Sequence, residues 1–194
     1  MQLLDRKQIS RVNPRAAASI VSPESIGPFL NSFAFRYDWR DNYEISSTLV
    51  ALGRPSLMCF DAALLSYGLL DLFPEVERKL LCLHRRAPDG EECGHVVTVY
   101  RDPNTRLFGG FARSNFEGLE HRAATFSSDT ALVKSYAAAY QRAGLTPLYF
   151  GFLSLDDVST GVDWRRSSEP VNELCERVKE SYRYEFHLTR RTPA

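Results

Sequence analysis

The stretch Arg54-Pro55-Ser56-Leu57-Met58-Cys59-Phe60-Asp61-Ala62-Ala63-Leu64-Leu65 decides how the rest of the chain is read. Pro55 and Ser56 punctuate a loop, and Ser56 is a good helix N-cap. From about Leu57 the chain turns apolar on every side, through Leu64, Leu65, Leu69, Leu70, Leu72 and Phe73, until Pro74 stops it. A helix that is apolar nearly all round is buried, so residues 57–72 predict a central helix. Cys59 then falls in its first turn. The N–H groups there have no intrahelical partners, and their partial positive charge favours a thiolate. Cys59 is therefore expected to be the most reactive of the four cysteines.

Strand candidates follow at 79–85, 95–101 and 106–116, the last two joined by the turn Asp102-Pro103-Asn104-Thr105. Upstream, Ser22-Pro23-Glu24 starts a helix, with Ile26, Phe29, Leu30 and Phe33 at helical spacing. Residues 1–21 read as a loosely specified arm and 36–42 as loop. Downstream, 129–143 predicts a helix ended by Gly144, and 147–155 a strand. Ser168-Glu169-Pro170 starts a last helix, and Phe186-His187-Leu188 forms a short closing strand. The expected fold class is α+β: a buried central helix, carrying Cys59 at its N-terminus, packed on a mainly antiparallel sheet. The 194 residues make one domain, with an arm at 1–21, a core at 45–155 and a C-terminal helix-and-strand extension at 156–194.

Lys+Arg and Asp+Glu both number 24, so the net charge is zero and nothing global attracts nucleic acid or a membrane surface. No apolar run approaches the ~20 residues that span a bilayer, and no signal-peptide pattern opens the chain. Cytoplasmic residence is the expectation, and export by a specialised secretion system is compatible with it. Cys59, Cys82, Cys93 and Cys175 lack the spacing of a disulfide framework and read as free thiols.

His95, in Cys93-Gly94-His95-Val96-Val97-Thr98-Val99-Tyr100, supplies the imidazole that a thiol nucleophile needs as base and then acid. A third group should orient it. Asp102 lies roughly 23 Å away along an extended strand at ~3.3 Å per residue. The return strand offers Ser114 and Asn115. If Arg101 pairs with Arg106, Ser114 shares the face of His95, and a bulge at Gly109-Gly110 reverses that parity. An amide oxygen accepts the imidazole N–H at lower rotamer cost than a hydroxyl, which favours Asn115 and leaves Ser114 as the alternative. A competing arrangement, Cys82-x-His84 with Cys93-x-His95, has weak zinc-ligand spacing, and no metal is expected. His121 and His187 have no companion motif, and Cys175 reads as packing. Phe33, Phe35, Tyr37 and Trp39 read as core and loop anchors rather than as the wall of a cleft.

Cys59-Phe60-Asp61-Ala62-Ala63-Leu64-Leu65, then His95-Val96-Val97-Thr98-Val99-Tyr100, then Ser114-Asn115, Leu119-Glu120-His121-Arg122 and Ser135-Tyr136-Ala137-Ala138-Ala139-Tyr140 occur in that order. Together they resemble the transglutaminase-like branch of the papain-type thiol enzymes, and within it a poorly characterised bacterial group. The resemblance covers about residues 45–155. It implies a papain/transglutaminase-like fold and cysteine-dependent acyl transfer on a peptide or amide substrate, proteins included, with no cofactor. Better-known transglutaminases carry Asp as third residue and an aromatic two positions after the histidine. Asn115 or Ser114 and Val97 stand there instead, which points away from glutamine–lysine crosslinking and towards a Cys59-His95-Asn115 arrangement more like papain's. The alternative is a catalytically blunted version of the same fold, used as a binding or interaction module.

Overall fold

The computed structural model describes residues 2–36 and 44–182, the side chain of Tyr182 excepted. In chain order the elements are α1 (Arg6–Val12), α2 (Pro14–Ser19), a 3-10 turn (Pro23–Ser25), α3 (Ile26–Leu30), β1 (Ala34–Phe35), α4 (Thr48–Leu52), β2 (Ser56–Leu57) and α5 (Cys59–Leu69). There follow β3 (Glu77–Arg86), β4 (Glu92–Arg101), β5 (Phe108–Phe111), β6 (Arg122–Phe126), α6 (Asp129–Arg142), β7 (Thr146–Leu153), α7 (Leu155–Val158) and α8 (Asn172–Tyr182). The five-stranded sheet runs β6-β5-β4-β3-β7, antiparallel throughout. The fold is therefore mixed α+β.

The central helix is α5. Every residue from Phe60 to Leu69 is buried, because both sides of the helix are covered. Ala62, Leu65 and Leu69 pack with Ile26, Leu30 and Leu52 of the N-terminal helices. Ala63, Leu64 and Tyr67 pack with Leu80, Cys82 and Val96 of the sheet. Two threonines stitch the helix to its neighbours: Thr98 Oγ1 donates to the Ala63 carbonyl (2.7 Å) and Thr48 Oγ1 to that of Leu64 (3.0 Å). The other face of the sheet, Leu81, Leu83, Val97 and Val99, is covered by Leu132, Val133, Tyr136 and Tyr140 of α6. Helix α6 ends as its sequence predicts. Gly144 takes φ +73°, and the Leu145 N–H reaches back to the Tyr140 carbonyl.

Several expectations are corrected. Among the described residues the expected arm at 1–21 is not loose: 2–21 are ordered into helices and capped turns. Asp5 and Gln8 form a capping box on α1, and Asn13 caps α2 with Pro14 at its first position. Leu4, Ile9, Ala16 and Ile20 are buried. The arm is also tied down by charge. Asp71 accepts the Leu4 N–H (2.8 Å), Arg165 Nε (2.6 Å) and Arg78 NH2 (2.5 Å). Ser56 is not the cap of α5. It belongs to β2, which pairs in parallel with β1, and Met58 takes the cap position. The last helix starts at Asn172, not at Ser168-Glu169-Pro170. The expected closing strand at 186–188 lies outside the described residues.

The return from β4 also differs. Arg101 pairs with Phe108 and Thr98 with Phe111, two residues away from an Arg101–Arg106 pairing. Asp102 Oδ1 accepts the N–H groups of Asn104 (2.7 Å) and Thr105 (3.0 Å), and Arg106 takes φ +61°. That longer loop uses the residues expected to open the strand. Strand β5 then ends at Phe111, so nothing in the sheet pairs with β4 on that side beyond Thr98. His95 stands beside this gap.

Candidate active site

The N-terminus of α5 and the part of β4 left unpaired by β5 line the same cleft. Asp61, in the first turn, sets the helix start by accepting the Met58 N–H (3.4 Å) and the Ser46 N–H (2.9 Å). Burial raises its carboxyl pKa, against those N–H groups and Arg36 at 3.9 Å, which lower it. Cys59, the first helical residue, is partly exposed to a cleft. The cleft holds about 120 Å³ and is bounded by Cys59, His95, Ser114, Asn115, Arg85 and Tyr140, among others. Sites for drug-sized ligands hold roughly 300–1,000 Å³. This one suits a narrow segment of chain.

His95 lies on the α6 face of β4, with Val97 and Val99, and is 6% exposed. Its Nε2 is 3.1 Å from the Leu119 carbonyl oxygen. A carbonyl only accepts, so Nε2 carries the proton and Nδ1 keeps the lone pair. The imidazole therefore holds the tautomer a base requires, with Nδ1 as the basic atom. Tyr136 meets the ring edge-on at a centroid distance of 6.4 Å, and Arg122 lies 4.6 Å over the Tyr136 ring.

The electrostatics oppose the expectation of an activated thiolate. Burial pushes the Cys59 thiol up to about 12, even though the Val96 backbone hydrogen bond lowers it. Burial likewise pushes His95 down to about 4, partly offset by Leu119. Desolvation thus outweighs the helix N-terminus. At neutral pH Cys59 therefore rests as a thiol and His95 as a neutral imidazole, both lining the same cleft. Among the described residues no hydrogen bond joins the Cys59 sulfur to the His95 ring.

The structure brings Cys59, His95, Ser114 and Asn115 to one cleft. It does not give Asn115 the expected bond to His95. Asn115 is exposed at the mouth, and the orienting position belongs to the Leu119 carbonyl. Ser114 Oγ is occupied by the Phe116 N–H at 3.0 Å. Asp102 stays in its turn. The residues 112–116, expected as strand, run as loop, which swings the Asn115 side chain away from the sheet and brings Leu119 in. Leu119 meets His95 through its main chain, so the motif Leu119-Glu120-His121-Arg122 marks the segment but not this contact.

Register separates the four residues of the competing zinc arrangement. Leu83 pairs with His95 and Arg85 with Cys93, while Cys82 pairs with Val96 and His84 with Gly94. Partners across a ladder share a face, so Cys82 and His84 look to one side of the sheet and Cys93 and His95 to the other. No metal-binding group occurs among the described residues. Cys175 packs against the cluster of Phe60 and Leu64. Phe33 is core, whereas Phe35 lines the cleft. Tyr37, Trp39 and His187 lie outside the described residues. No helix among the described residues is long and apolar enough to cross a membrane. Comparison with protein-family models finds no match, and comparison with curated proteins finds none either.

Proposed function

We propose that this chain is a cysteine-dependent acyl-transfer enzyme of the papain/transglutaminase-like class, acting on an amide or peptide bond. One observation carries the reading. Segments far apart in sequence, Cys59, His95, Ser114-Asn115, Leu119 and Tyr140, meet at a single cleft, and they are the segments on which the resemblance to transglutaminase-like enzymes rests. In this reading Cys59 attacks the amide carbonyl while His95 Nδ1 takes the thiol proton. The same nitrogen returns the proton to the leaving amine, and water or a second amine then resolves the thioester. The Cys59 N–H, first in the helix, donates to the oxyanion. Because the resting pair is neutral, proton transfer accompanies attack rather than preceding it. The Leu119 carbonyl holds the imidazole and favours the cation that forms. Asn115, at the mouth, contacts the incoming chain.

The neutral pair supports a second reading, a blunted site on the same fold that binds without turning over. Turnover of a panel of fluorogenic amides and peptides separates the two. The enzyme reading requires hydrolysis that Cys59→Ser and His95→Gln each abolish. Asn115→Ala should slow it by less than about tenfold if a main-chain carbonyl holds the histidine. Hydrolysis that survives Cys59→Ser, or no turnover of any substrate, overturns the enzyme reading.

A further inference from the structure

Two donors in the cleft have no acceptor among the described residues. Arg85 lies in β3 opposite Cys93, one position from the Leu83–His95 pair on the same face, with its side chain directed into the cleft. The register with β7 slips between His84 and Arg85, with Leu148 of β7 as the extra residue, while the ladder with β4 stays regular through Arg85. The Arg85 guanidinium lies 4.8 Å over the Phe116 ring, and it makes no ion pair or hydrogen bond among the described residues. Arg36, by contrast, is engaged with Asp61. Glu91 stands exposed at the same cleft without pairing to Arg85.

The second donor is Tyr140. Its residue is 1% exposed and its hydroxyl is buried with no partner among the described residues, yet the residue lines the cleft. Burial holds the phenol well above its ordinary pKa, so it remains an O–H. A buried hydroxyl without a partner carries an uncompensated desolvation cost. A cation fixed over a ring and an orphan O–H can both donate to one group, which matches a carboxylate. The Arg85 charge is felt at both Tyr140 and His95.

We propose that Arg85 and Tyr140 form a carboxylate subsite beside Cys59, so that the substrate carries a carboxylate next to the amide that reacts. The substrate class is thus an acidic peptide or one with a free terminal carboxylate. The inference rests on the thiol-enzyme reading of Cys59, and its test is chosen to separate the two.

Iodoacetate and iodoacetamide differ by one carboxylate and label the same sulfur. Labelling of Cys59 by each, followed by peptide mass spectrometry, gives a rate ratio. Arg85→Gln should lower the ratio of iodoacetate to iodoacetamide about tenfold, and Tyr140→Phe about threefold, as loss of charge-assisted and neutral hydrogen bonds implies. Arg85→Lys should fall between, since it keeps the charge and loses the fork. Two blocked dipeptides tell the sources of the carboxylate apart. One ends in a free α-carboxylate, and the other carries Asp with an amidated terminus. Protection of Cys59 from iodoacetate by either supports the subsite and names the source. Ratios equal in wild type and both variants overturn the subsite and leave the nucleophile standing. Failure of both reagents to label Cys59 overturns the two together. A ratio that responds to Arg85 alongside labelling and turnover indifferent to His95 overturns only the enzyme reading.

Discussion

Replacing His95 with Gln tests how the imidazole is held. The Gln amide can still donate to the Leu119 carbonyl, so the main contact survives while the titrating group is lost. In the native chain burial lowers His95 from its ordinary 6.5 to about 4. Between those values the unfolded chain takes up a proton that the folded chain refuses. Stability therefore falls as pH drops from 6.5 towards 4, and is fully present above that range. Each tenfold change in proton affinity is worth ~1.4 kcal/mol, so the loss amounts to about 3 kcal/mol. Urea unfolding at steps between pH 7 and pH 4 measures it. The unfolding free energy of the native chain should fall by that amount more than that of His95→Gln. Comparing slopes removes the other histidines, which both proteins share, and the fixed cost of the substitution. Parallel curves would refute the claim that His95 is buried and neutral.

Other consequences follow from the packing and from the thiol. Asp71→Ala leaves the Arg165 guanidinium, 1% exposed, without the carboxylate it is hydrogen-bonded to, with only Asp156 at 3.9 Å remaining. Urea unfolding should show a loss of about 3–5 kcal/mol. Gly68→Ala gains roughly 1 kcal/mol of helix propensity, but its Cβ would come within 2.4 Å of Thr48 Oγ1. Thr48 is anchored to Leu64, so a net loss of about 1–3 kcal/mol is expected, with part of it recovered in the double variant with Thr48→Ala. Alkylation of Cys59 should keep rising with pH towards about 12. A plateau from acid to neutral pH, read by timed iodoacetamide labelling, would instead reveal a standing thiolate–imidazolium pair.

The α5–β4 pairing was legible because its signals are local. Uninterrupted apolarity marks α5, alternation marks β4, and Pro74 and Gly144 punctuate. What was missed depended on partners distant in sequence. Ser56 could cap a helix by its chemistry, but Ala34 and Phe35 recruit it into a strand. Strand β6, Arg-Ala-Ala-Thr-Phe, has few strand-forming residues and exists because β5 offers it an edge. The N-terminal helices are a different case, since Asp5 with Gln8 and Asn13 with Pro14 are readable caps. The site divides in the same way. Cys59 and His95 carry chemistry in their side chains. Leu119 contributes a carbonyl, and Arg85 reaches the cleft through a strand register that only the folded sheet sets. The direction of the Cys59 shift turned on burial, a property of the whole fold that a helix start does not reveal.

In the proposed mechanism His95 drives acylation of Cys59. Brief exposure to p-nitrophenyl acetate, followed by quenching in acid and peptide mapping by mass spectrometry, tests it directly. An acetyl group should appear on Cys59 ahead of Cys93 and Cys175, with acetylation at least about a hundredfold slower in His95→Gln, the lower bound for a lost general base. Acetylation that falls first on Cys93, or that proceeds at Cys59 equally fast without His95, would contradict that mechanism.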